Sequence, residues 1–387
     1  MGGTGHPLST PPDTVTFIEQ YLADAVDRFV SPASDRQGGI PSGPYNTVAA
    51  ITPEDDDDVD ESVAEGVAAL HSCITSTICD YNQDVGSLPP SVTDTFIVFG
   101  YSQSAGIAMA EKSALAAMYA PGEGPDVSFV VIGNARPNGG LAMRDTAGII
   151  THLLFGTPIN ETDPTPPPTD TQYATVDIAT QYDGLADNML NPLNLLAALN
   201  AYVGLEQHVT YDARSLTQPA VVDQGQYGDT HYYLISTPIL PLLVPLETFG
   251  PMGHALADAL DAPLRVIIES AYDRTVSPGV PTAWDTTYFP DPTAFARNLI
   301  ISIPTGLDNG IEDLTGARPF GTARPGPLRC RRPRCHLHRS RHRDGGARHH
   351  AGTSAFGRSR STGRSIERFG CSTGNQLSTS TSPIATW

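Results

Sequence analysis

The sequence predicts an α/β fold, a mostly parallel sheet with helices on both faces, and three observations lead there. Short runs rich in β-branched and aromatic residues, at 95–99, 127–132 and 174–180, alternate with longer stretches whose apolar residues recur every three or four positions. A serine, Ser102, stands where the first of these strands turns into an alanine-rich helix. An aspartate at the end of the third strand, Asp183, and a histidine one helix later, His208, follow it in a chain order that serine chemistry uses.

Around the serine the sequence reads Gly100-Tyr101-Ser102-Gln103-Ser104. Such a turn, with glycine two residues before the serine, is the nucleophile elbow of α/β-hydrolase-like sheets. The strained turn holds the hydroxyl clear of the sheet, and the helix N-terminus favours developing negative charge. Ser104 stands where a second glycine is usual, and a small residue suits a point where helix and strand crowd. Ser102 is the candidate nucleophile and the Gln103 N–H a candidate oxyanion donor.

With 387 residues, 40% of them apolar, the chain can bury a sizeable core. Its formal charge of −19 hides an asymmetry: residues 321–387 hold 13 Arg and 2 acidic residues, leaving 10 basic and 40 acidic groups in residues 1–320. A body that acidic repels phosphate backbones and anionic head groups, so nucleic acid is not an expected partner. No run of 18 or more apolar residues occurs, and no basic start leads into an apolar core, so neither a membrane span nor a signal peptide is expected. The five cysteines are odd in number and scattered, unlike a disulfide framework. Cys73 and Cys79 lie in a stretch that reads as helix, and a bridge between them requires that helix to end there.

Taken in order, Met1-Gly2-Gly3-Thr4-Gly5 reads as the end of a glycine-rich strand-to-loop turn, the kind of loop that supplies a second oxyanion N–H, here from Thr4. The strand such a turn should follow is not in the sequence. Val15, Ile18, Leu22, Val26 and Phe29 give an amphipathic helix over residues 14–30. The acidic run from Glu54 to Asp58 lacks the alternation and glycine of a calcium loop and reads as a solvated turn. Asp60 is the expected cap of the next helix, residues 62–77, whose Val63, Val67, Leu70 and Ile74 form one stripe. The loop 133–140 falls at the carboxyl end of a strand, where open α/β sheets bind ligands. Residues 157–171 make a Thr- and Pro-rich excursion, and Asn191-Pro192 starts a helix that Gly204 stops. Residues 235–250, apolar and punctuated by prolines, read either as a lid or acyl-binding wall or as a buried connection. From Arg324 onward apolar periodicity stops. Residues 1–323 are expected to form one domain and 324–387 an Arg-rich, low-complexity, disordered tail, whose Cys330 and Cys335 match no standard metal spacing.

A serine hydroxyl is a poor nucleophile until an imidazole takes its proton, and the imidazole needs a carboxylate to fix its tautomer. Ser102, Asp183 and His208 supply the three, with no cofactor required. Asp187, four residues after Asp183, is a rival acid, and His231 a rival base. Asp183 is preferred because it lies nearer the strand end, and His208 for its place in the chain order.

GGTG at the start, SVAEGVAAL, GYSQSA, VIGNARPNGG, QYDGLAD, NPLNLLAALNAYVG, HVTY and ILPLLVPL together resemble the PE-PPE domain of mycobacteria and related actinobacteria. That family is a serine α/β-hydrolase branch similar to cutinases, and the resemblance spans roughly residues 2–315. It implies hydrolysis of acyl esters through the triad and an acyl-enzyme, or transfer of fatty acyl groups between trehalose lipids by the same triad. It also implies an acyl ester or lipid substrate, peripheral contact with envelope lipids, and a secreted or cell-envelope location. No PE or PPE helical targeting module precedes the domain in this sequence. A reading from another class is a catalytically silent envelope or interaction protein.

Overall fold

The computed structural model describes residues 1–76, 78–145, 148–150, 152 and 166–324. The expected tail, save Arg324, and most of the Thr- and Pro-rich excursion lie outside the described residues. At the centre is a five-stranded sheet in the order β1-β2-β3-β5-β4, formed by β1 Phe96–Tyr101, β2 Val127–Ile132, β3 Thr175–Thr180, β4 Val221–Tyr227 and β5 Thr230–Ile235. The first three strands and β5 run parallel, and β4 pairs antiparallel with β5 across the Gly228-Asp229 turn. This is the mostly parallel α/β architecture that the sequence predicts. The principal helices are α1 Val15–Asp24, α2 Val59–Thr75, α3 Gln103–Met118, α4 Leu195–Val203, α5 Gly250–Glu269 and α6 Pro292–Thr315.

β2, β3 and β5 are buried at every position, as expected of strands covered on both faces. Side-chain alternation sends their residues to opposite faces of the sheet. Phe129 and Val131 pack with Leu70 and Ile74 of α2 and Ile107 and Leu115 of α3. Val130 and Ile132 pack on the other face with Phe29, Ile178, Tyr211 and Tyr233.

Several boundaries differ from the sequence reading, each for a local reason. The first helix widens into a π-helical turn at Ala25–Val30 and continues through Ser31–Ser34, past the expected end. Asp58, not Asp60, caps α2, its carboxylate accepting the Glu61 N–H at 3.0 Å. Asn194, not Asn191, caps α4, because the Asn191 side chain is engaged in its own turn with the Leu193 N–H. Gly204 stays right-handed at φ −67°, so the chain passes from α4 straight into one further turn, Leu205–His208. α2 does end between the two cysteines, with Ser76 extended, and Cys73 and Cys79 are disulfide-bonded. Within the apolar segment 235–250, Ile239, Leu240 and Leu243 are buried against Tyr182, Ala257 and Ile268, so this part is a connection inside the core and not a lid.

Candidate active site

The elbow has the geometry its sequence calls for. Ser102 sits at φ 56° and ψ −115°, a region costly to any residue with a side chain, between the last residue of β1 and the first of α3. Its amide bonds the Ile132 carbonyl at 3.1 Å, tying the turn to the end of β2. The crowding expected at position 104 is real: a Cβ added at Gly100 would lie 2.5 Å from the Ser104 carbonyl oxygen. Ser104 nevertheless fits, because its hydroxyl accepts the Tyr101 N–H at 2.9 Å within the turn itself.

Ser102, His208 and Asp183, which are 106 and 25 residues apart along the chain, come together at the carboxyl end of the sheet. Ser102 Oγ lies 2.8 Å from His208 Nε2, and His208 Nδ1 lies 2.9 Å from Asp183 Oδ2. Asp183 is fully buried and His208 is 6% exposed. Burial works against the Asp183 charge, but facing His208, together with the bonds from His208, the Leu185 N–H and the Tyr211 hydroxyl, outweighs it and holds the carboxyl below the usual carboxylate range. The base is placed from behind by Tyr101, whose hydroxyl donates to the His208 carbonyl at 2.6 Å.

The acid loop and the base helix interlock. The Gly184 N–H donates to the Gly204 carbonyl at 3.2 Å. An added Cβ at Gly204 would lie 2.0 Å from the Tyr182 oxygen, and one at Gly184 would lie 2.4 Å from the Ala201 oxygen. Beneath the imidazole, Gly133 closes β2 at φ +61°, and a Cβ there would come within 3.0 Å of His208 Cε1.

The rival residues are placed elsewhere. Asp187 accepts the Tyr182 N–H at 2.9 Å and pairs with Arg274 at 2.5 Å. His231 lies on β5 opposite Val176 of β3, four residues before the pair Thr180 and Ile235 that marks the triad end. At the rise of a strand that is about 13 Å away. Its Nε2 is 2.7 Å from Asp223 Oδ1. Of the expected oxyanion donors, Gln103 contributes the first amide of α3, a position left without a partner inside its own helix. The Gln103 side chain points away from the turn, its Nε2 donating to the Asp55 carbonyl at 2.7 Å. Thr4 is exposed in a loop whose Gly3 lies against the Tyr101 ring and whose Gly5 N–H is held by the Glu54 carbonyl at 2.7 Å. Among the described residues no group of acidic, histidine or cysteine side chains could hold a metal ion, and no helix is long and apolar enough to cross a membrane.

Sequence reasoning did not single out Tyr101, Tyr211, Gly133 or Arg136. The buried Arg136 guanidinium joins the 133–140 loop to the sheet through Asp177 and the Tyr233 carbonyl, at 2.6 Å each. Tyr211 stood inside the HVTY motif, but its partner Asp183 is 28 residues away, and nothing local signals the contact.

A parallel sheet with an elbow serine, an imidazole and a buried carboxylate bonded in that order defines an α/β protein with serine-triad geometry. The chain belongs to the PE-PPE domain family, whose model matches residues 38–273 and so includes all three of these residues. It is 33% identical over 287 residues to PE family protein PE3 of Mycobacterium tuberculosis, covering 70% of this chain and 54% of that protein. It is 34% identical over 303 residues to Esterase PE16 of the same organism, covering 73% and 49%. Over 165 residues it is 30% identical to the Diacyltrehalose acyltransferase Chp2 of that organism, covering 40% and 43%. The chain thus spans about half the length of the curated relatives it matches. No solved structure matches it.

Proposed function

We propose that this chain is a serine esterase of the lipase type, cleaving carboxylic esters through an acyl-enzyme. The observation that carries the reading is the unbroken run of short hydrogen bonds from Ser102 Oγ through His208 to Asp183. Ser102 Oγ attacks the ester carbonyl as His208 Nε2 takes its proton, and Asp183 steadies the imidazolium through Nδ1–H. The oxyanion is held by the Gln103 N–H and by the loop that carries Thr4. The tetrahedral adduct collapses, the alcohol leaves with the proton from Nε2, and water repeats the sequence to release the acid.

A second reading keeps the first half-reaction and makes a sugar hydroxyl the acceptor in place of water, giving an acyltransferase. It is favoured by two relatives named acyltransferases, one of them for diacyltrehalose. A fluorophosphonate probe tests the shared half. Labelling at Ser102 that is lost in Ser102→Ala supports both readings, and no labelling of the folded chain removes both in favour of a silent protein. Adding trehalose to a turnover assay then separates them, since an acyltransferase partitions product into the sugar ester.

A further inference from the structure

Tyr211, a residue 2% exposed, has no task in the mechanism above, yet its hydroxyl makes two bonds of opposite kind. It accepts the Thr180 N–H at 2.9 Å and donates to Asp183 Oδ2 at 2.9 Å. The direction of the second bond is fixed by charge, since a carboxylate has no proton to give. The first bond fills a gap in the sheet. Thr180 is the last residue of β3, but β2 stays in register only as far as Ile132 opposite Ile178, after which Gly133 turns away at positive φ. The phenol oxygen takes the place of the missing rung. Tyr211 thus joins the frayed end of the sheet to the acid of the triad.

We propose that Tyr211 is a positioning residue: its hydroxyl anchors the Asp183 carboxylate to the end of β3 and, by donating to it, tempers how strongly that carboxylate holds the His208 Nδ1–H. The inference rests on the triad reading given above. Asp183 Oδ1 is already held by the Leu185 and Ala186 N–H groups at 2.9 and 3.1 Å, so with the phenol on Oδ2 the carboxylate has no freedom to rotate away from the imidazole. Among the described residues, the side chains bonded to Asp183 are His208 and Tyr211. The other titratable groups that face this cluster are Tyr101 from β1, Arg136 from the loop after β2, and Asp212 and Arg214 from the turn after Tyr211. Tyr101 also bonds the His208 carbonyl, and the others act on the cluster across space.

Losing the phenolic proton makes the carboxylate more basic, so it favours the imidazolium, and the free base needed for attack forms at higher pH. Tyr211→Phe should therefore move the acid limb of the kcat/KM profile upward by about one pH unit, the scale of one hydrogen bond to a charged group. It should also lower kcat with KM near that of the parent. Placing 3,5-difluorotyrosine at position 211 strengthens the donor without changing the packing, and should move the limb in the opposite direction. A readout that needs no turnover is the downfield proton resonance of the His208–Asp183 hydrogen bond, recorded in a Ser102→Ala background, where both replacements should shift it. If the limb and the resonance stay put in folded chains carrying either replacement, Tyr211 is packing only and the proposal is overturned. Should Tyr211→Phe fail to fold, the fluorinated chain decides alone. A parent chain without esterase activity would sink the functional reading, while the resonance would still test the Tyr211 contact.

Discussion

Among the described residues two buried histidines each touch an aspartate, and one of the two pairs has triad geometry. At the carboxyl end of the sheet, His208 gives one nitrogen to a fully buried Asp183 and the other to Ser102. On the β4–β5 hairpin, His231 meets Asp223, whose side chain is 56% exposed, through Nε2, while its buried Nδ1 has no hydrogen-bond partner among the described residues and its ring stacks on Tyr233 at 4.7 Å. The lesson lies in what surrounds the pair. A carboxylate kept from water and clamped by amides can set a tautomer, and an imidazole needs a hydroxyl on its far nitrogen to act as a base. A carboxylate in solvent can swing away, and its pairing is largely screened.

The contrast breaks most sharply on substitution. Ser102→Ala and His208→Ala should each reduce p-nitrophenyl ester turnover by more than about a thousandfold, with folding retained, because triad members act as a unit. His231→Ala should leave turnover within about fivefold and lower stability by roughly 1–3 kcal/mol, the cost of emptying a packed site. A dead His231→Ala beside an active His208→Ala would reverse the comparison.

The same contrast separates the two aspartates of one loop. Asp183→Asn should lower turnover by about 10⁴-fold, the scale seen when an amide imposes the wrong tautomer. Asp187→Asn should spare turnover and lower stability by about 2 kcal/mol, because Arg274 keeps Glu269 at 3.1 Å as a second partner. Turnover loss concentrated in Asp187→Asn would move the acid.

Gly133→Ala sharpens the geometry of the base. Its methyl would press on His208 Cε1, and the residue would hold positive φ, so turnover should fall about tenfold with a stability cost of about 1–2 kcal/mol. Unchanged kinetics would mean the imidazole has room that the contact denies. The smallest effect is expected at the other end of the chain. Arg324 pairs with Glu312 at 2.7 Å and with Asp313 at 2.9 Å, so a chain ending at residue 324 keeps these contacts. Its melting temperature should stay within about 2 °C of the full chain and its turnover unchanged, since cationic segments make only weak, salt-screened contacts with an acidic surface. A larger drop would assign the deleted residues a part in the fold.

What the sequence made legible follows from the range of each signal. Strands β1 and β2 were readable as short apolar runs, β3 because Val176 and Ile178 alternate with Thr175 and Asp177, and Ser102 because a strand, a small-residue turn and a helix adjoin in the chain. The β4–β5 hairpin was not read. β4, Val-Val-Asp-Gln-Gly-Gln-Tyr, is an edge strand with polar residues and a glycine, and it carries little apolar pattern. The caps of α2 and α4 slipped by two or three residues because aspartates and asparagines cluster there, and tertiary contacts choose among them. Tyr211 and Gly133 owe their importance to contacts from other elements, which no window on the chain contains.

The interlock of Gly184 with Gly204 determines how the site can loosen. Acid and base ride on one block, with two backbones pressed together where no methyl group fits, while the nucleophile is mounted on another, the β1–α3 turn. Slack between the blocks therefore falls on the contacts that join them, the gap between Oγ and Nε2 and the Tyr101 bond to the His208 carbonyl. The imidazole stays poised in its tautomer whether or not that gap is closed. Structures of this chain caught at different stages of turnover should differ in those two contacts, with the Asp183–His208 bond as their fixed reference.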